Sequence, residues 1–179
     1  MSEISEIGVR PALKPETSAE ERTWAALAHF STLLTLLVAV ATLGIGGVVF
    51  AFVPLAIYLA YKDKSDYVAY HAAQALALQV LMTVGFLAAF LAGLLAIVVV
   101  WVVTALLIAI LVGLILIPVA LLITLVLTLA LVFMPFVAGA FSLAAGIQTA
   151  GGADYEYPYI GRWVRDWLKR SSEQAAPAV

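Results

Sequence analysis

The sequence predicts an all-α protein: a polytopic transmembrane helix bundle of about four spans, with one extra broken or re-entrant apolar segment and a C-terminal interfacial amphipathic helix. Three observations carry this. From Tyr67 to Ala153 the chain contains no Lys, Arg, Asp or Glu, and as helix at ~1.5 Å per residue that run measures roughly 130 Å, about four times a ~30 Å hydrocarbon core. A second charge-free run extends from Thr23 to Tyr61, enough for a tight hairpin. Finally, 65% of the 179 residues are hydrophobic, well beyond the roughly half expected of a soluble domain.

Residues 1–17 are acidic, contain proline and lack the basic-then-apolar pattern of a signal peptide. They read as a disordered cytosolic tail. Ser18-Ala-Glu-Glu21 is a capping box, so a transmembrane domain over 18–153 opens with a helix from Ser18 through the interfacial anchor Trp24 to about Thr42. Gly44-Ile-Gly-Gly47 then suits a tight reversal. The return span, Val48 to Tyr61, is barely a bilayer long and carries Pro54, which predicts a kink or shallow crossing.

Lys62-Asp-Lys-Ser-Asp66 is the charged loop, flanked by Tyr58, Tyr61, Tyr67 and Tyr70 at the depth of an aromatic belt. Its lysines, with Arg162, Arg165, Lys169 and Arg170 after the last apolar segment, assign this loop and both termini to the cytoplasmic side of the membrane. Break points at Gly93, Gly113, Pro118 and Pro135 predict helices near 68–92, 94–117 and 119–149. One of these is expected to be broken, re-entrant or strongly tilted.

Residues 154–170 form a cytosolic aromatic and amphipathic segment. Ile160, Trp163, Val164, Trp167 and Leu168 recur at helical spacing with charges on the other face, so Trp163 and Trp167 are expected to anchor an interfacial helix. A soluble helix packed on a partner is the competing reading. Residues 171–179 read as a disordered end.

The net charge of −2 decides nothing about nucleic acid, since the few charges sit at the two ends and in one short loop. No basic patch exists to neutralise phosphates, and no nucleic acid is expected as a partner; the lipid bilayer is the first partner, with a homo-oligomer and an unidentified protein partner as further expectations. Without cysteine, disulfides and thiolate chemistry are excluded. No hydrolase triad, HExxH or phosphate loop occurs, and the spans hold no carboxylate for ion coupling. The expectation is therefore a non-enzyme with no catalytic residues, no cofactor and no metal, two lone histidines being a poor zinc set.

Polar side chains inside the spans are the remaining candidates. His71, Gln74 and Gln79 share a ~140° sector at ~100° per residue, facing protein or water. They can line a polar cavity or a proton-sensitive gate, or simply bond headgroups, the 62–66 loop or a neighbouring helix. His29 stands near Ser31, Thr32, Thr35 and Thr42, of which Ser31, Thr35 and Thr42 fall on one stripe suited to helix contacts or back-bonding rather than a solute path. Gly85, Ala89 and Gly93, and likewise Ala138, Ser142 and Gly146, form small-xxx-small faces for helix packing.

Ala28-His29-Phe-Ser31, the glycine hinge, Pro54, Tyr61-Lys-Asp-Lys-Ser-Asp66, His71-Ala-Ala-Gln74-Ala75, Gln79, Gln148-x-x-Gly151 and Tyr157-Pro158 together resemble a prokaryotic family of small membrane proteins of unknown function, related to the chloroplast inner-envelope import component Tic-twenty. The resemblance covers roughly Trp24 to Val164. It implies a four-helix membrane domain with both ends on one side, although this chain has a longer apolar stretch between Gln79 and Gln148. By analogy it implies an oligomeric pore or scaffold in translocation of protein or solute. The alternative is an accessory membrane protein that docks a partner or senses the lipid surface through its charged loop and C-terminal helix.

Overall fold

The computed structural model describes residues 17–42, 47–50 and 52–175. The expected tail before residue 17, residues 44–46 of the glycine turn and the last four residues lie outside them. The described chain is all-α: α1 (Ala19–Ala41), α2 (Gly47–Phe50), α3 (Val53–Tyr61), α4 (Asp66–Ile108), α5 (Val112–Ala150) and α6 (Ile160–Ala175). α1, α4 and α5 are long and apolar enough to cross a membrane.

The start of α1 is built as its sequence dictates. Ser18 Oγ accepts from the Glu21 N–H at 3.1 Å, and the Ser18 N–H donates to Glu21 Oε2 at 2.8 Å, a reciprocal capping box that satisfies two otherwise orphan donors. The other Glu21 oxygen accepts from Ser65 Oγ at 2.6 Å. Ser65 in turn caps α4 by accepting from the Val68 N–H. One carboxylate thus ties two helix starts together.

Tyr61 donates to Glu20 at 2.9 Å and Tyr67 to the Ala153 carbonyl at 3.0 Å. The first turn of α1, the 62–66 loop and the segment after α5 therefore meet at one end of the bundle. Between them α2 and α3 bring the chain back, at ~1.5 Å per residue over roughly 22 Å. Pro54 lies in the first turn of α3, where a missing N–H breaks no intrahelical bond, so the interruption precedes the proline rather than kinking the helix around it.

The expected division of 68–149 into three helices is not what the chain does. Gly93, Pro118 and Pro135 all lie inside continuous helices, and the reversal falls at residues 109–111. One glycine in a helix costs only about 1 kcal/mol, and here Gly93 is buried against Leu131. Prolines persist in apolar helices where neighbouring groups re-satisfy the freed carbonyl. What ends α4 is the turn itself: Leu111 takes a left-handed conformation with φ of 64°, and any side chain at Gly113 would overlap the Thr104 carbonyl and Ile108.

α4 has 43 residues and α5 has 39, so each runs to roughly 60 Å, about twice a ~30 Å core. Beyond the reach of α1 they continue as a two-helix apolar rod, pinned in its middle by Trp101 Nε1 donating to Thr124 Oγ1 at 3.0 Å.

α1 packs closely on α5. A Cβ at Gly146 would overlap the Phe30 ring, and one at Gly139 would lie 3.2 Å from Leu36. Among lipid tails apolar area gives little net drive for helix association, so such close approach and interhelical hydrogen bonds carry the packing.

Candidate functional site

At the converging end, side chains from α1, α4 and α5 and from the 153–159 segment form one buried polar cluster. His29, His71, Gln74 and Ser142 have no exposed surface, and Tyr157 is 2% exposed. His29 stands on α1 above Ser31 and Thr32; His71, Gln74 and Gln79 stand on α4. Tyr157 is delivered by the chain after Gly152, whose φ of 83° suits glycine.

The histidines link in series. Tyr157 OH lies 2.9 Å from His29 Nδ1, His29 Nε2 lies 3.1 Å from His71 Nδ1, and His71 Nε2 lies 3.8 Å from Asp154 Oδ1. One assignment serves every contact with both imidazoles neutral. Tyr157 donates to His29, which donates through Nε2–H to His71, whose own Nε2–H points to the Asp154 carboxylate. Ser142 Oγ lies 3.4 Å from the Tyr157 oxygen and extends the row into α5. Burial pushes the Tyr157 phenol well above its ordinary range, which keeps its proton in place.

Gln74 does different work. Its Oε1 accepts from the Tyr157 N–H at 3.0 Å and its Nε2 donates to the Tyr155 carbonyl at 3.2 Å. A side-chain amide here replaces the strand that this extended segment lacks, leaving neither backbone group bare. Gly161 must be glycine for the same clamp, because a Cβ there would overlap Glu156 and crowd Gln74 Oε1. Deeper in the bundle, Gln79 Nε2 faces the hydroxyls of Ser31, Thr32 and Thr35 at 3.2–3.4 Å, tying α4 to α1. Ser31, Thr35 and Thr42 also donate to carbonyls one turn back on their own helix.

The other expected residues lie elsewhere. Trp24 is partly exposed and packs on Tyr61 with ring centroids 5.6 Å apart. Trp163 is exposed and Trp167 packs on Tyr58 of α3, both on an α6 that is held to α4 by Val164 against Tyr70 and Ala73 and by Arg165 donating to Tyr70 OH at 3.0 Å; Arg165 also donates to Glu156 at 2.8 Å. α6 runs on past residue 170 to Ala175. Gly85 and Gly93 face α5, where a Cβ at Gly85 would meet Met134 at an ordinary 3.7 Å and one at Gly93 would meet Leu131 at 3.4 Å, and Ala89 stands half-buried on the same helix. Ala138, Ser142 and Gly146 are buried in α5.

The sequence brought His71, Gln74 and Gln79 together but left His29 apart from them, and it assigned no role to Tyr157 or Asp154. Their one signal was a polar aromatic stretch directly after an apolar run. Both ring nitrogens of His29 are engaged with neighbours, and among the described residues no group of three or more His, Asp or Glu is arranged to hold a metal ion. The contacts described for the cluster are hydrogen bonds between parts of the same chain.

A family model described as magnetosome magnetite crystal formation protein, MamF/MmsF, matches residues 20–164. No curated protein and no solved structure matches the chain. The match overturns the expected kinship with Tic-twenty: the motifs that carried that resemblance lie inside the span of the MamF/MmsF model, and the translocation role drawn from the analogy loses its support with it.

Proposed function

Because the chain belongs to the MamF/MmsF magnetosome magnetite crystal formation protein family, we propose that it serves crystal formation as a non-enzymatic membrane scaffold, its polar core fixing a surface segment to a lipid-embedded body. The observation that carries this reading is the Gln74 clamp on Tyr155 and Tyr157. The polar side chains of the cluster bond other parts of the same chain, which supports a closed lock and gives no support to a lumen. On this reading residues 18–153 are the embedded body, in the membrane that surrounds the crystal, and 154–170 form the surface segment, on the cytoplasmic side if the basic residues follow the positive-inside rule.

Replacement of the protein by a Gln74→Leu variant in a magnetite-forming host tests this. Crystal size by electron microscopy is expected to shift while the variant stays in the membrane at normal amount. Unchanged crystals with the variant present at that amount would overturn the proposal.

A second reading has its own observation. Trp163 is 59% exposed on an α6 that carries four basic residues against two acidic ones, and this favours a surface segment that engages lipid or a partner rather than one that only closes the bundle.

A further inference from the structure

α3, α4 and α6 enclose a groove of about 680 Å³ that the polar lock does not use, walled by Tyr58 of α3, by Ala73, Ala77 and Val84 of α4, and by Trp163 and Trp167 of α6. We propose that it is a binding site for an anionic phospholipid, with one acyl chain under α6 and the headgroup phosphate between Lys62 and Arg170. This goes beyond a scaffold role, since it assigns the protein a specific lipid.

Three features fit this occupant. From Ala73 to Val84 the α4 wall is roughly 17 Å long, close to one leaflet of a ~30 Å hydrocarbon core. The lining side chains are apolar, and α6 roofs the upper part because Ile160 and Val164 pack on α4. A chain inserted there is thus held between two helices, unlike a lipid that merely touches the outer surface.

At the rim the Tyr58 and Trp167 rings lie 6.0 Å apart. One turn beyond each, toward the polar end, stand Lys62 and Arg170, both exposed. Two cations above an apolar slot match a phosphodiester joined to an acyl chain. Free phosphate would not use the slot, and a zwitterionic headgroup would bring its own quaternary ammonium against the two cations, offsetting the attraction of its phosphate.

The test is native mass spectrometry of the full chain released from bilayers of equal phosphatidylglycerol and phosphatidylcholine. Phosphatidylglycerol is expected to be retained roughly 25-fold over phosphatidylcholine, since each of the two basic residues near the surface adds on the order of fivefold. A K62Q/R170Q variant, altered only at exposed positions, should lose that preference. Ala77→Trp should fill the slot and abolish retention of both lipids, with folding verified by an unchanged melting temperature. Equal retention of the two lipids by the wild-type chain, or a preference that survives K62Q/R170Q, would overturn the proposal.

Discussion

His29 and His71, 42 positions apart in sequence, meet nitrogen to nitrogen at 3.1 Å across the contact of α1 with α4. Each is fully buried, so each ring nitrogen left without its partner carries the cost of a desolvated polar atom. His29 is the middle of the row, between Tyr157 and His71, and truncating it takes a partner from both, leaving Tyr157 OH only the longer contact to Ser142 Oγ.

His29→Phe should therefore destabilise the protein by about 2–4 kcal/mol, the sum of two buried groups losing a partner. Denaturant unfolding in detergent micelles measures it. In the double variant with His71→Phe, one stranded group disappears along with its partner. The combined loss should fall short of the sum of the single losses by about 1 kcal/mol or more. Simple additivity would show that the two rings are not coupled.

Gln74 supplies both an acceptor and a donor to the 153–159 segment, so two substitutions separate its roles. Gln74→Leu should free both backbone groups and raise amide exchange at Tyr157 by roughly tenfold or more, one to three kcal/mol of local protection. Gln74→Glu keeps the acceptor for the Tyr157 N–H and loses the donor to Tyr155, so exchange should rise less at Tyr157. Hydrogen–deuterium exchange resolved to single peptides distinguishes these. Equal exchange in the wild type and both variants would remove Gln74 from the clamp.

Alkali should weaken the lock through Tyr157. Burial raises its folded-state pKa above the ordinary phenol value, so the native state holds the proton more tightly than the unfolded chain does. The sign follows: the contribution is complete below about pH 10, the unfolded value, and is lost as pH rises toward the folded one. Thermal unfolding between pH 7 and 11 should show wild-type stability falling above about pH 10. Tyr157→Phe should start lower and lose that part of the slope. Parallel profiles for the two proteins would mean that the phenol does not report on folding.

What the sequence displayed of this structure, and what it hid, divides along physical lines. The capping box at Ser18 and the amphipathic face of α6 are local, set by residues three or four apart, and they appear where the pattern puts them. The clustering of His71, Gln74 and Gln79 on one face of α4 was legible for the same reason. The turn at 109–111 was legible only in that Gly113 stood among four candidate breaks, with nothing to single it out, because every residue from Tyr67 to Ala153 is uncharged and periodicity is silent when both faces meet lipid or apolar protein. Gly93 and Pro118 looked like breaks, but the turn was decided by the close approach of Gly113 to Thr104. His29 and Tyr157 are 128 positions apart, and no local pattern joins them.

The two small-residue faces make opposite predictions, although their sequence patterns are alike. At Gly146 a Cβ would overlap the Phe30 ring, whereas at Gly85 it would meet only the tip of Met134 at ordinary contact distance. Gly146→Ala should then push α1 away from α5 and cost about 1–3 kcal/mol, the usual penalty of overpacking. Gly85→Ala has room, so the alanine should be neutral or stabilising by up to about 1 kcal/mol through its better helix propensity. A Phe30→Leu change should recover part of the Gly146→Ala loss by vacating the ring position, which a purely local helix effect could not do. Unfolding of the four proteins in the same detergent checks all of this. Were Gly146→Ala as benign as Gly85→Ala, the α1 to α5 contact would be looser than the packing of Phe30 on Gly146 requires, and the seat that these helices provide for His29 and Ser142 would need a different explanation.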